Sequence, residues 1–389
     1  MREALDPVAD PLEGSAPAFS RARTLKVAVL SDATPGRNGV GTYYDDLVHH
    51  LGGLIGDVRL VCPPRDGEEV RTGWRFRMPG DPTQTLFVPR LGTLWTELRS
   101  MSPDLVIAPT PWLYGIVGML AARRMGTAFC VAYHTEFPML AELYWKRRRV
   151  MKLVSRWLAV AVDGWMFRHA SAVLVHNARL QRTVRSRGVH DAPLMGTPAP
   201  PSFLARPLRP IAETLASITY VGRLGPEKCI DQVLETARTF PRLKVRIVGD
   251  GPLRPEVEAC ARSCRNVELT GWVDRDRVLE ILDTTDLLVL PSSHETFGTA
   301  AFEAMIRQRP VLVSPRCGIA EWPNLANGLF RIVENERLAD AVRRVAGMDG
   351  AARRQVAAAG RAAAVEANQQ TIDHWVATLD RLTANGTRP

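Results

Sequence analysis

The run PSSHETFGTAAFEAMIRQRPV, Pro291 to Val311, carries more structural information than any other part of the chain. It follows Leu287 to Leu290, LLVL, an unbroken apolar run of the kind found in strands buried on both faces of a parallel sheet. What comes next therefore leaves the carboxyl edge of a sheet, where open α/β folds bind ligands. The Phe297-Gly298-Thr299 turn opens a short helix. Its first N–H groups, at Gly298, Thr299 and Ala300, lack intrahelical acceptors and suit a phosphate. Glu295 and Glu303 flank that anion site and can accept hydrogen bonds from hydroxyls. Phosphate donors beside hydroxyl acceptors imply a nucleotide sugar.

Outward from this segment, short apolar strands alternate with helices, which means βαβ units and parallel sheets. A first series holds Leu25 to Leu30, Val58 to Val61, Leu105 to Ala108, Phe129 to Tyr133 and Ala172 to Val175, with a helix from Val40 to Leu51. A second holds Ile218 to Val221, Val245 to Val248, Val267 to Leu269, Leu287 to Leu290 and Val311 to Val313. Between them, residues 193 to 213 are Pro-rich and aperiodic and read as a linker. The Ala-rich stretch 351 to 383 is helical by propensity. Ile372, Trp375, Val376, Leu379 and Leu382 make one apolar face of it, which can pack on the first domain or cap the second.

At 389 residues the chain suits two domains, and 46% hydrophobic with 23% charged residues excludes global disorder. The net charge of +9 favours anionic partners without choosing among them. Residues 1 to 23 are polar and Pro-rich and read as a disordered tail, not a signal peptide. No apolar run reaches eighteen residues, so no membrane span is expected. The six cysteines form no C-x-x-C pair, and Cys260 with Cys264 lacks the partners of a zinc set. Reduced, mostly buried thiols in a cytoplasmic protein are the expectation. From Trp145 to Leu158 basic residues interleave with apolar ones in a stretch that continues as a helix to about His169. Such a surface can pack on its own domain or dock on anionic lipid.

In Tyr220 to Asp231, YVGRLGPEKCID, a strand-to-helix turn carries Arg223 and Lys228. A guanidinium fork and an ammonium together suit a diphosphate. The bland alternative pairs Lys228 with Glu227 or Asp231. Gly36, Gly39 and Gly41 lie between the first strand and its helix, but their spacing is wrong for a dinucleotide fingerprint.

With its flanking strands and the Pro291-Ser292, Phe297-Gly298 and Glu303-Ala304-Met305 neighbours, the first segment resembles the E-x7-E signature of the retaining glycosyltransferases of the GT-B fold, the group 1 class. The resemblance covers about residues 24 to 380. It implies an α/β GT-B architecture, two Rossmann-like domains with parallel sheets facing across a cleft. The boundaries would be 24–200 for an acceptor-side domain, 201–214 for a linker and 215–350 for a nucleotide-sugar domain. A C-terminal helix, 351–389, would follow and cross back to the first domain. Tyr220 to Asp231 resembles the family's diphosphate-binding element, which gives Arg223 and Lys228 that role; Cys229 stands where Gly is usual. Val248-Gly249-Asp250-Gly251-Pro252 matches the next strand end. Gly271 and Val273 fall in the loop whose backbone contacts the base, with Trp272 between them. Gly39 takes the place of a Gly amide near the donor phosphate. His134, in Tyr133-His134-Thr135-Glu136-Phe137, takes that of a histidine contacting the sugar near its 6-hydroxyl. Glu295, Phe297, Gly298, Thr299 and Glu303 complete the donor set.

The implied reaction moves a mannose- or glucose-type hexose from a GDP- or UDP-sugar to an acceptor, in some relatives a lipid at the inner face of the membrane. The implied mechanism is front-face attack without an obligatory metal or other cofactor. Arg309, where the family carries Gly before Pro310, implies a changed turn. The rival readings are a nucleotide-sugar epimerase or hydrolase, and a nucleic-acid-binding protein. For the latter no recognisable module is present, so no nucleic acid is expected.

Overall fold

The computed structural model describes residues 21–36, 39–64, 72–78, 81–134, 136 and 149–384. Most of the expected tail, Asn38, and Trp145 to Arg148 of the basic stretch lie outside these. The chain divides into two compact units, one ending at Pro198 and resuming at Thr371, the other spanning Ala199–Gln370.

The first unit contains β1 (Lys26–Leu30), β2 (Asp57–Val61), β3 (Thr72–Met78), β4 (Asp81–Pro89), β5 (Leu105–Ala108), β6 (Ala128–Tyr133) and β7 (Ala172–Val175). Five of them form a parallel sheet in the order β2-β1-β5-β6-β7, while β3 and β4 pair as a separate antiparallel hairpin. Alternate residues of β1 enter different cores. Val27 and Val29 join Leu47, Ile107 and Leu174 in one, while Ala28 and Leu30 join Val106, Val131 and Val173 in the other. Both faces are covered, which is why these strands read as continuous apolar runs. The last helix, Gly350–Ala384, supplies residues to both units. Its Ile372, Trp375, Val376, Leu379 and Leu382 lie in the same core as Val27 and Leu47.

The second unit contains β8 (Ser217–Val221), β9 (Lys244–Val248), β10 (Val267–Gly271), β11 (Leu287–Leu290), β12 (Val311–Val313) and β13 (Phe330–Arg331). They form a six-stranded parallel sheet in the order β10-β9-β8-β11-β12-β13. This is the doubly wound 3-2-1-4-5-6 order, which reverses between β8 and β11. Ligands of such sheets bind outside the strand ends at that reversal.

The turn from the helix Thr299–Ile306 into β12 is where Arg309 stands in place of the family's Gly. Gln308, not Arg309, takes the left-handed conformation, at φ 56. Arg307 and Arg309 are buried. Arg307 donates to both oxygens of Asp283 at 2.8 and 3.1 Å and to the carbonyls of Phe203, Arg206 and Pro207 at 2.6–2.7 Å. Arg309 reaches the carbonyls of Arg209 and Pro210. The Pro-rich segment that reads as a loose linker contains a short helix, Pro201–Ala205, and is tied to its own unit by these guanidiniums.

Candidate active site

Three loops at the carboxyl edge of the second sheet are joined through their backbones. Gly222 N–H donates to Val248 O, Leu224 N–H to Asp250 O, and Gly249 N–H to Gly271 O, at 2.8–3.0 Å. A Cβ on Gly249 would stand 1.9 Å from Gly222 O, so only glycine permits this approach. Tyr220 reaches forward from β8 and donates to the Arg223 carbonyl at 2.8 Å.

On this frame, each candidate cation has a carboxylate partner. Arg223 pairs with the buried Glu227. Lys228 pairs with Glu295 at 2.5 Å, both being mostly buried. The Lys228–Glu295 pair links the loop after β8 to the loop after β11, on either side of the strand-order reversal. The link is reinforced by Ser293, which donates through N–H and hydroxyl to Glu227 O at 2.9 and 3.1 Å. Sequence reasoning offered Lys228 only neighbours in its own turn; Glu295 is 67 residues away and is brought close by the parallel pairing of β8 with β11. Cys229, in place of a family Gly, takes a left-handed conformation at φ 51.

Glu295 O and Phe297 O accept from Gly318 N–H at 3.0 Å and Ile319 N–H at 2.6 Å, which fixes the turn before the helix. The Phe297 ring is buried against Phe302 and Trp322. Phe297 therefore offers a ligand its backbone and not its ring. Gly298, at φ 105, caps Thr299–Ile306 without a side-chain bond, and a Cβ there would lie 2.7 Å from Cys317 Sγ. Glu303 is buried and accepts from Arg275 at 2.9 Å. Desolvation raises its pKa, although the Arg275 guanidinium works the other way. Arg275 was not marked by the sequence, because it is recognisable only by its partner, and Glu227, which the sequence offered to Lys228, pairs with Arg223 instead. Gly271 is buried, Val273 half-buried, and Trp272 exposed, so Trp272 is not core.

Two family models match the chain. The one for glycosyl transferases group 1 covers residues 205–362, and that for the glycosyl transferase 4-like domain covers residues 38–199. The chain belongs to the group 1 glycosyltransferases. This glycosyltransferase is 27% identical over 343 residues to a GDP-mannose-dependent alpha-mannosyltransferase of Mycobacterium tuberculosis, covering 82% of this chain and 87% of that one. It is 23% identical over 238 residues to a sulfoquinovosyl transferase of Arabidopsis thaliana, of whose length the match spans 45%. The fold is GT-B: sucrose-phosphate synthase from Thermosynechococcus elongatus superposes with a TM-score of 0.71 at 18% identity, over 92% of this chain and 98% of that one.

In the first unit of the glycosyltransferase, Gly39 is the first residue of the helix Gly39–Leu51, and His134 follows β6 directly. His134 Nε2 lies 3.2 Å from the Tyr44 hydroxyl, and its ring stacks on His176 at 3.9 Å between centroids. His176 Nδ1 donates to Met195 O at 3.2 Å. Burial pushes the pKa of both rings down, that of His176 to about 3, so both are neutral at physiological pH. Tyr43 packs edge-on against both histidines, donates to Gly196 O and accepts from Trp375 Nε1, each at 2.8 Å. A neutral imidazole held in this way can exchange a hydrogen bond with a hydroxyl but carries no charge for a phosphate. Among the described residues, no cluster of three or more His, Cys, Asp or Glu could hold a metal, and no helix is long and apolar enough to cross a membrane. All six cysteines are free, three buried and three half-buried.

Proposed function

We propose that this glycosyltransferase moves a mannose- or glucose-type hexose from a GDP- or UDP-sugar to an acceptor with retention of anomeric configuration. The observation that carries the reading is the Lys228–Glu295 pair across the strand-order reversal, with Arg223 on the same loop as Lys228. Arg223, Lys228 and the amides of Gly298, Thr299 and Ala300 hold the diphosphate. Glu295, oriented by Lys228, takes the sugar hydroxyls. Glu303 takes the ribose, and the backbone of Gly271 and Val273 takes the base. Gly39 sits at the donor phosphate, and His134 binds near the sugar 6-hydroxyl.

In the transfer step the bond from the anomeric carbon to the diphosphate oxygen breaks as the acceptor oxygen bonds to that carbon on the same face. The acceptor proton passes to the leaving diphosphate. The charge that grows on the leaving group meets Arg223, Lys228 and the helix-start amides, which are fixed beforehand and so lower the barrier. Glu295 and Glu303 are binding groups here: each is held by a cation, Lys228 or Arg275, and Glu303 is buried. The mannosyltransferase relative supports the hexose and the GDP donor, and six free thiols suit a cytoplasmic enzyme.

The test is a thermal-shift panel of UDP, GDP and their mannose and glucose derivatives. A donor at about 100 times its Kd stabilises by about 2.7 kcal/mol. Stabilisation by one nucleotide and its sugar supports the proposal, and no response to any of them refutes it. Donor turnover equally fast with and without an acceptor favours the hydrolase or epimerase reading.

A further inference from the structure

In the second unit, the helix Arg254–Ser263 ends on a pair of thiols. Cys260 is buried in its last turn, and Cys264 is its half-buried C-cap. The Cys260 S–H donates to Cys264 Sγ at 3.7 Å, and the Ser263 hydroxyl lies 3.8 Å from the same sulfur. Disulfide sulfurs stand about 2.05 Å apart, so this pair is about 1.7 Å from bonding distance. Cys264 has left the helical conformation, at φ -115 and ψ 102, so its side chain is not held at helical spacing. The helix leaves the 249–252 loop after β9 and delivers the chain to the start of β10. The thiols therefore stand at the opposite edge of the sheet from the loops of the candidate active site.

The surroundings are basic. No acidic residue occurs from Ala259 to Val267, and Arg238 acts on Cys260 from the neighbouring helix. Beside the pair, a groove of about 420 Å³ is lined by Arg242, Lys244, Arg265 and Glu268 among others. Glu268 is taken up by Lys244 at 2.9 Å and Arg246 at 3.5 Å, whereas among the described residues Arg242 and Arg265 have no carboxylate partner. A metal cation does not suit this place, since among the described residues no third His, Cys, Asp or Glu joins the thiols. A partly exposed thiol in an electropositive setting, with a second thiol beside it, suits exchange with a disulfide. We propose that Cys260 and Cys264 form a reversible exchange site for small anionic disulfides, whose carboxylates are held at Arg242 and Arg265. The Cys264 thiolate, the more exposed, attacks one sulfur of the small disulfide; that S–S bond breaks and one thiolate leaves. Cys260 Sγ then attacks Cys264 Sγ, gives its proton to solvent and displaces the second small thiolate. Two protein thiols and one small disulfide become one protein disulfide and two small thiols, two electrons having passed to the small molecule. Burial pushes the Cys260 pKa up, although Arg238 works the other way, which suits Cys260 to the second step.

The experiment exposes the full chain to glutathione disulfide, which is anionic, or to cystamine, which is cationic, followed by alkylation and tryptic peptide mass spectrometry. Trypsin cuts between the two cysteines, after Arg262, so their disulfide appears as peptide 247–262 joined to peptide 263–265. Glutathione disulfide should produce the joined peptides and dithiothreitol should abolish them. Relative to the half-buried Cys62, Cys264 should react about fivefold faster with glutathione disulfide than with cystamine at low salt, the factor for one pair of unit charges about 4 Å apart in water. The preference should fade toward 1 M salt, where the Debye length is about 3 Å. Cys260→Ser should stop at a mixed disulfide on Cys264, and Cys264→Ser should leave Cys260 reduced. Arg242→Gln with Arg265→Gln should remove the preference between the two reagents. No joined peptides at a large excess of glutathione disulfide, a mixed disulfide that wild type does not resolve, or an equal response to the two reagents overturns the proposal. Nucleotide-sugar binding plays no part in the readout, so this proposal and the transfer reading fail separately.

Discussion

Replacing Arg307 with methionine should destabilise the Ala199–Gln370 unit by about 3–5 kcal/mol, the range for breaking a buried ion pair by removing one partner. Arg307 is fully buried and Asp283 nearly so. Two of the guanidinium's bonds go to that carboxylate and three to the carbonyls of Phe203, Arg206 and Pro207. Methionine matches the stem but leaves the Asp283 charge without its counter-ion. Each of the three carbonyls also loses a bond contributing about 0.5–1.5 kcal/mol. The segment that bears them can recover part of this by peeling into water, which keeps the sum inside the range. Hydrogen exchange read by mass spectrometry suits a chain of two units, because it reports local opening without a two-state assumption. Peptides covering 203–210 and 275–310 should lose protection first. Asp283→Leu added to Arg307→Met should recover much of the loss, since an apolar pair carries no stranded charge. A single variant within about 1 kcal/mol of wild type, well below that range, would refute the reasoning, as would a double variant less stable than the single one.

Other consequences are independent of this one. Arg223→Ala or Lys228→Ala should lower turnover about 10²- to 10³-fold while weakening donor binding less, because the charge they face develops in the transition state; steady-state kinetics with unchanged turnover in both variants would contradict the assignment. His176 has its pKa pushed from 6.5 to about 3, first by desolvation. Its contribution is therefore fully present above about pH 6.5 and is lost as pH falls toward 3, by at most about 1.4 kcal/mol per pH unit. Asp32, raised to about 6 by burial, contributes with the opposite sign over much of that window. The readout is therefore a difference: His176→Gln should flatten the pH dependence of stability relative to wild type, and parallel curves would count against a neutral buried His176. Cys229→Gly should leave the melting temperature unchanged or raised, while Cys229→Val should lose about 1–2 kcal/mol, because a branched side chain resists the left-handed conformation; equal stability of the two would contradict the backbone assignment.

The sheets were legible because their strands are buried on both faces. Leu105 to Ala108, Ala172 to Val175 and Leu287 to Leu290 are apolar throughout and are bounded in the structure as they read. The β3–β4 hairpin was not legible. Its Trp74-Arg75-Phe76-Arg77 alternation pairs with no large sheet, and Trp74 is exposed, so no core enforces the pattern. The candidate site shows the same division. Residues singled out by local chemistry, such as Lys228, Glu295 and Gly298, stand on turns at the sheet edge as their spacing suggests. Their partners depend on pairings across many residues: Glu295 holds Lys228, Arg275 holds Glu303, and His176 stacks on His134. The burial of Arg307 and Arg309 was not legible, because charged residues in a turn ordinarily face water. Here the carbonyls of the preceding Pro-rich segment solvate them instead.

Calorimetry of wild type and Glu295→Gln, titrated with a free nucleoside diphosphate and with its hexose derivative, tests the central claim most directly. Wild type should bind both. Glu295→Gln should bind the free nucleotide as wild type does and lose about 1.5–3 kcal/mol toward the sugar donor, the worth of hydrogen bonds to a charged group, or about 10- to 150-fold in Kd. Loss of free-nucleotide affinity as large as the loss of donor affinity, or no binding of any nucleotide or nucleotide sugar by wild type, would contradict the account.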